Sequence, residues 1–261
     1  MTALEDRIRR VAAAPKLLVA LDFDGTLSPL VSDPMSARAT PAAKQIVDRL
    51  AALPGVTVAL VSGRSLCDLR IIAEHGDDSP VWLVGSHGSE QWIPEGSVAR
   101  TAAPSARGEE TAPERAAEIL AEAHRLAESH SGAWIEDKAF GFALHTRTCE
   151  MAVEREAQVA IDALMTRDAP QWRRREGKRV LEFSWRAEGK DTAVARLREE
   201  LHADAVIFAG DDVTDEDALR ALGEGDLGVR VGPGETAGHA RVDDTQGLVD
   251  VLSRVAELRA S

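Results

Sequence analysis

Three short apolar runs in this 261-residue chain each stop on a polar motif: "LLVALDFDGT" (17–26), "VTVALVSGR" (56–64) and "DAVIFAGDDVTDED" (204–217). Runs of this length without apolar–polar alternation predict strands buried on both faces, as in a parallel sheet covered by helices. The segments between them carry helical patterns. "TPAAKQIVDRLAALPG" (40–55) offers Thr40 as an N-cap, Pro41 at the first helical position, and Ile46, Val47, Leu50 and Leu53 along one side. "SLCDLRIIAEHG" (65–76) predicts a helix ending at Gly76, and "VWLVGSHGSEQW" (81–92) carries another strand. After the third motif, "TDEDALRALG" (214–223) predicts a helix, "LGVRVG" (227–232) a short strand and "TQGLVDVLSRVAELRA" (245–260) a last helix. This alternation predicts an α/β fold, a doubly wound parallel sheet with a Rossmann-like core.

The middle third breaks the pattern. Residues 99–110 are rich in Ala, Ser, Glu and Gly and read as a linker. "TAPERAAEILAEAHRLAESH" (111–130) predicts a helix opened by Thr111 and Pro113. "GAWIEDKAFGFALHTRT" (132–148) predicts two strands turning near Lys138. "MAVEREAQVAIDALMTR" (151–167) predicts a helix, and "PQWRRREGKRVLEFSW" (170–185) a hairpin turning at Glu176–Gly177. Helix and hairpin, twice over, make an α+β unit at 99–187 inserted into an α/β domain formed by 1–98 and 188–261.

Bulk properties narrow the function. A net charge of −13 argues against nonspecific nucleic-acid binding and against an anionic membrane surface. No apolar run approaches the ~20 residues that span a bilayer. Near the start, Glu5 and Asp6 precede Arg7, Lys16 interrupts the apolar stretch and Asp22 ends it, which does not fit a secretory signal. Cys67 and Cys149 show no paired spacing and are expected to be reduced thiols. A cytoplasmic, monomeric protein is the expectation.

In an open parallel sheet, ligands bind beyond the carboxyl ends of the strands. The polar motifs therefore converge on one edge. Asp22 and Asp24 alternate with Phe23 and share a side in extended chain. Asp211, Asp212 and Asp215 arrive at the same edge. Carboxylates so crowded raise one another's pKa, and a hard divalent cation such as Mg²⁺ resolves the conflict. Ser62, Thr26, Lys190 and the backbone N–H groups near Gly25 are candidates for phosphate oxygens. Alone, each motif has an ordinary explanation: a solvated turn or calcium-type loop for D-x-D, a turn for "SGR", a helix cap for Asp215, an exposed lysine for Lys190. Together and in this order they point to phosphoryl transfer with an aspartate nucleophile.

"DFDGTL", "SGR", Lys190 and "GDDVTDED" resemble the ordered motifs of the haloacid dehalogenase (HAD) superfamily of phosphatases. "DFDGTLSPLVSDP", "GSHGSE", "ALHTR" and "GKRVLEF" make the trehalose-6-phosphate phosphatase family the closer match, over essentially the whole chain. The resemblance implies that Asp22 attacks phosphorus and that Asp24 protonates the leaving sugar oxygen and then activates water. It implies Mg²⁺ on the Asp22 and Asp211 carboxylates and the Asp24 carbonyl, with Asp212 and Asp215 as supporting partners behind them. Ser62 and Lys190 would bind the phosphoryl group. The inserted unit would be a cap that reads the sugar, with Lys138, His145, Arg147 and Glu182 as candidates. A solvated polar face, or a cross-strand pair of Glu182 with an arginine such as Arg174, is the plainer alternative for those four. Trp134, Trp172 and Trp185 suit core packing or stacking on a sugar. Two positions depart from the family pattern: Asp191 follows Lys190 where glycine is usual, and Thr146 stands where an aromatic is usual. The substrate implied is a sugar phosphate, with trehalose 6-phosphate first and sucrose phosphate or mannosyl-glycerate phosphate behind it. Functional coupling to a trehalose-6-phosphate synthase is expected. A non-catalytic sugar-phosphate sensor is the other class.

Overall fold

The computed structural model describes residues 3–95, 97, 113–138, 140–177, 179–185 and 189–260. The predicted linker at 99–110 lies outside them. The chain divides into two compact units, one of Met1–Pro104 with Glu188–Ser261 and the other of Ser105–Ala187.

Along the chain, the first unit begins with α1 (Ala3–Ala12), β1 (Leu17–Leu21), α2 (Pro41–Ala51), β2 (Val56–Val61), α3 (Leu66–Ile72), β3 (Trp82–Gly85) and β4 (Glu90–Trp92). The second unit contributes α4 (Ala116–Glu128), β5 (Trp134–Lys138), β6 (Gly141–His145), α5 (Met151–Asp168), β7 (Arg173–Gly177) and β8 (Val180–Ser184). The first unit resumes with α6 (Lys190–Leu201), β9 (Ala205–Gly210), α7 (Asp215–Ala221), β10 (Leu227–Val231), β11 (Ala240–Val242) and α8 (Thr245–Arg259).

The first unit is a seven-stranded sheet in the order β11-β10-β9-β1-β2-β3-β4. Every neighbouring pair is parallel except β3 with β4. Its central strands alternate between two cores, which explains their unbroken apolar sequence. Leu17, Val19 and Leu21 of β1 join Leu50, Ile72 and Leu252 on one face. Leu18 and Ala20 join Val194, Leu197 and Leu219 on the other. Each fully buried Leu or Ile of this kind stabilises the fold by roughly 1.5–3 kcal/mol. The chain winds from β1 outward through β2 and β3, then crosses back to β9 and winds the other way. Leu21 stands level with Leu60 on β2 and Ala209 on β9. The three polar motifs therefore leave the sheet side by side at its carboxyl edge.

Several boundaries differ from the sequence expectation. Residues 3–12, read only as a rejected signal, form α1, which buries Ile8 and Val11. Helix α3 stops at Ile72, because Glu74 takes a left-handed φ of 50° three residues before the Asp77–Asp78 turn begins. Helix α4 begins at Ala116 rather than at Pro113, with Pro113 O accepting from Ala116 N–H in a preceding turn, and Thr111 lies outside the described residues.

The second unit is a four-stranded antiparallel sheet, β5-β6-β8-β7, with α4 and α5 over one face. Ile135, Phe142, Leu144, Leu181 and Phe183 form that buried face, together with Trp172. Its second hairpin stays paired through Gly177 opposite Val180, so the turn comes after Glu176–Gly177. Arg179 supplies the left-handed residue, at φ 61°. It tolerates that conformation because its guanidinium is anchored to Glu154 and to the carbonyls of Arg147 and Cys149.

Candidate active site

Asp22 is the first residue past β1, and its N–H still bonds Ala209 O of β9 at 2.9 Å. Its carboxylate is gripped from two sides. Lys190 Nζ donates to Oδ1 at 2.6 Å, and Thr26 Oγ to Oδ2 at 3.1 Å. Lys190, at the start of α6, also donates to Asp215 Oδ1 at 2.6 Å. Asp215 Oδ2 accepts from Asp212 N–H at 3.0 Å. All of Asp22, Thr26, Lys190 and Asp215 are buried. Asp215 is thus tied into the site rather than serving as a plain helix cap.

Two glycines make this crowding feasible. Gly25 sits at φ +79°, where a side chain is strained, and a Cβ there would stand 2.1 Å from Asp211 Oδ2. A Cβ on Gly210 would stand 2.2 Å from the Asp215 carboxyl carbon. Gly25 lets the loops after β1 and β9 touch, and Gly210 lets Asp215 fold back against the end of its own strand. Gly25 N–H is spent on Ser28 O at 2.8 Å, so it is not among the donors facing a phosphate.

The electrostatics follow from burial. Burial pushes Asp22 well above the ordinary carboxylate range, the Lys190 charge pulls it back, and Asp215 and Asp211 push it up again. Asp211 is pushed up to about 6, by burial first and then by Asp215. Burial works against the charge on Lys190, but Asp215 and Asp22 hold the ammonium protonated beyond the ordinary lysine range. Three carboxylates facing one ammonium leave an excess of negative charge. Asp22, Asp211 and Asp215 each offer an oxygen, all within 4.8 Å of one another. An all-oxygen, partly unneutralised donor set of this kind fits a hard divalent cation such as Mg²⁺.

Ser62 is buried at the end of β2. Its Oγ accepts from Arg64 N–H at 3.2 Å, which leaves its O–H to donate. The turn is braced from behind by the "GSHGSE" segment: Ser86 N–H bonds Arg64 O and His87 N–H bonds Ser62 O. Ser86 and His87 hold left-handed φ values of 47° and 54°, and Glu90 accepts from Ser86 Oγ and Leu66 N–H. A Cβ on Gly63 would meet the His87 ring at 2.6 Å, which accounts for the glycine of "SGR". The "GDDVTDE" loop is braced by buried Arg230, which donates to Asp212 O at 2.8 Å and Glu216 Oε1 at 3.1 Å.

Asp24 was expected beside Asp22, but its partner was not foreseen. Arg64 donates through Nε to Oδ2 at 2.6 Å and through Nη2 to Oδ1 at 2.7 Å. The signal was present in the third letter of "SGR".

The second unit carries its own polar array on the sheet face away from the helices. Register places Glu136, Ala143, Glu182 and Arg175 in one cross-strand row, Lys138 in the next, and His145 beside Trp134. Glu136, which the sequence reading passed over, bonds Lys138 at 2.6 Å and His145 at 2.8 Å. Burial would raise Glu136, but the bonds from His145 and Lys138 hold it down at about 2. Glu182 pairs with Arg175 at 3.2 Å; Arg174 points to the opposite side and bonds Asp162. Arg147 lies past the end of β6 in an exposed turn, not on the strand face of His145. Trp172 is core, whereas Trp134 is half exposed and stacked on His145 at 4.1 Å.

Residues 20–246 match the family model described as trehalose-phosphatase. The chain belongs to the trehalose-phosphatase family. It is 31% identical, over 94% of its length, to a bifunctional trehalose-6-phosphate synthase/phosphatase of Thermoproteus tenax, of which it covers 32%. It is 34% identical, over 83% of its length, to a trehalose-phosphate phosphatase of Mycobacterium marinum, of which it covers 54%. The chain thus spans a third to about half of the relatives it matches. Its fold is that of the C. albicans trehalose-6-phosphate phosphatase C-terminal domain, with a TM-score of 0.76 at 21% identity over 98% of this chain and 97% of that one. The α/β core with its inserted α+β unit is therefore the HAD-type fold of this family's solved members.

Proposed function

We propose that the chain hydrolyses trehalose 6-phosphate to trehalose and phosphate, through an aspartyl-phosphate on Asp22. The observation that carries this reading is the buried Asp22 carboxylate, fixed by Lys190 and Thr26 at the carboxyl edge of the sheet, next to a cation-ready acid cluster.

The residues divide the work as follows. Thr26 and Lys190 aim the Asp22 carboxylate at phosphorus. Lys190 has three N–H donors, two of them used by Asp22 and Asp215, and the third serves a phosphoryl oxygen. The Ser62 hydroxyl serves a second. An Asp22 oxygen bonds to phosphorus as the bond to the sugar oxygen breaks, and that oxygen takes a proton from the Asp24 carboxyl. Asp24, then a carboxylate, takes a proton from a water that attacks phosphorus, and the bond to Asp22 breaks. Mg²⁺, held by Asp22, Asp211 and the Asp24 carbonyl with Asp212 and Asp215 behind them, would offset the phosphoryl charge when bound.

The inserted unit is proposed as the cap that reads the sugar. Lys138, His145, Arg147 and Glu182, joined by Glu136, supply cationic and anionic groups suited to a polyhydroxylated ligand. The fused synthase named in the Thermoproteus tenax relative supports functional coupling to an enzyme that makes the substrate. Phosphate release from trehalose 6-phosphate, glucose 6-phosphate and sucrose 6-phosphate, with Mg²⁺ and with EDTA, tests the reading. Preference for trehalose 6-phosphate and loss in EDTA are expected. Equal turnover of glucose 6-phosphate would remove the disaccharide assignment.

A further inference from the structure

Asp24 must present one carboxyl oxygen to the leaving group, yet an aspartate beside a glycine has two soft side-chain torsions. The two bonds that fix it come from the turn after the neighbouring strand β2, where Arg64 meets both oxygens in a parallel fork at 2.6 and 2.7 Å. The side chains are only 18% and 28% exposed. Arg64 is itself held by its backbone, through N–H to Ser62 Oγ and through its carbonyl to Ser86 N–H. One short turn therefore carries both the phosphate-facing hydroxyl of Ser62 and the guanidinium that orients Asp24.

We infer that Arg64 is a positioning residue for proton delivery. The fork takes one lone pair on each Asp24 oxygen and fixes the carboxyl plane, so that the proton, carried on the remaining site of the oxygen facing the phosphate pocket, reaches the departing oxygen as phosphorus transfers to Asp22. A fork is needed for this, because a lysine offers a point charge that does not define a carboxylate plane. The inference rests on Asp24 being the proton donor in the proposed reaction.

The leaving group separates this role from others. A sugar alkoxide needs a proton to depart, whereas 2,4-dinitrophenolate leaves without one. The ratio kcat/KM reports transfer to Asp22 alone for both esters. In Arg64→Gln, kcat/KM for trehalose 6-phosphate should fall about 10–100-fold through the misplaced donor. For 2,4-dinitrophenyl phosphate it should fall less than about threefold. Arg64→Lys, which keeps the charge and tests folding, should behave like Arg64→Gln. Asp24→Asn should show the same split, larger, toward the ~10²–10⁴-fold of general acid catalysis. Arg64→Gln should add almost nothing in the Asp24→Asn background. Equal losses on both esters in Arg64→Gln would overturn the inference, as would full recovery in Arg64→Lys. Equal losses on both esters in Asp24→Asn would instead overturn the reading of Asp24 itself.

Discussion

Asp22 receives one donor from its own loop, Thr26 four residues on, and one from far along the chain, Lys190 at the head of α6. Replacing it with Asn keeps the shape and removes the proposed nucleophile. Asp22→Asn should lower kcat/KM by at least ~10³-fold. Its melting temperature should hold or rise, because one of three crowded buried charges is gone. Phosphate release and a thermal melt check both; activity within tenfold of wild type would remove Asp22 from its role. The acid cluster also sets a pH dependence. Asp211 has a folded pKa of about 6, above its ordinary value of 3.8. The native state therefore binds this proton more tightly than the unfolded chain does. The resulting stability is present below the ordinary value and is lost as pH rises through about 6. A divalent cation takes the deprotonated cluster. Mg²⁺ should thus raise the melting temperature little at about pH 5 and clearly at about pH 7.5, measured against EDTA. A shift independent of pH would exclude Asp211 from the cation site. At this scale the gathering of Asp22, Lys190, Asp211 and Asp215 was legible, because strand ends in an open sheet must expose polar residues at one edge. Arg64, Glu136 and Arg230 were not. An arginine's partner is a matter of which loop lies opposite.

Among elements, the loop between β9 and α7 depends on a buried pair. Arg230 of β10 donates to Glu216 Oε1 and Asp212 O, and Glu216 also accepts from Thr236 Oγ and Ala237 N–H. Arg230→Met should leave Glu216 buried without its counter-ion, at a cost of roughly 3–5 kcal/mol. It should also weaken Mg²⁺ affinity by letting residues 211–215 shift. Urea denaturation and a Mg²⁺ titration of activity test these together; an unchanged Mg²⁺ half-saturation would limit Arg230 to the fold. Most strands and helices followed from their patterning, but α1, the separate strand β4 and β11 did not. The ends did not: α3 is cut short by Glu74, and the second hairpin turns on Arg179, because left-handed residues other than glycine are held by tertiary contacts.

For the whole molecule, chemistry and selectivity are proposed to live in different units. Glu182 sits in the cross-strand row with Glu136 and Arg175. Glu182→Gln preserves shape and removes charge. It should lower kcat/KM for trehalose 6-phosphate about tenfold or more, as loss of a charged hydrogen bond does. A small aryl phosphate should be hydrolysed as before. Equal losses on both would assign Glu182 to its pair with Arg175 and to the second unit's own fold. The parallel sheet, the inserted α+β unit and the convergence of "DFDGT", "SGR" and "GDD" on one edge were readable in the order of the residues. Those follow from hydrophobic patterning and from the direction in which parallel strands run, both of which are local or topological. Which charges meet was settled by the three-dimensional fold. It gave both Asp24 oxygens to Arg64, Lys190 to Asp22 and Asp215, and Glu182 to Arg175 rather than Arg174. Such pairings depend on register and on approaches within hydrogen-bonding distance between segments far apart in sequence, which no spacing along the chain encodes.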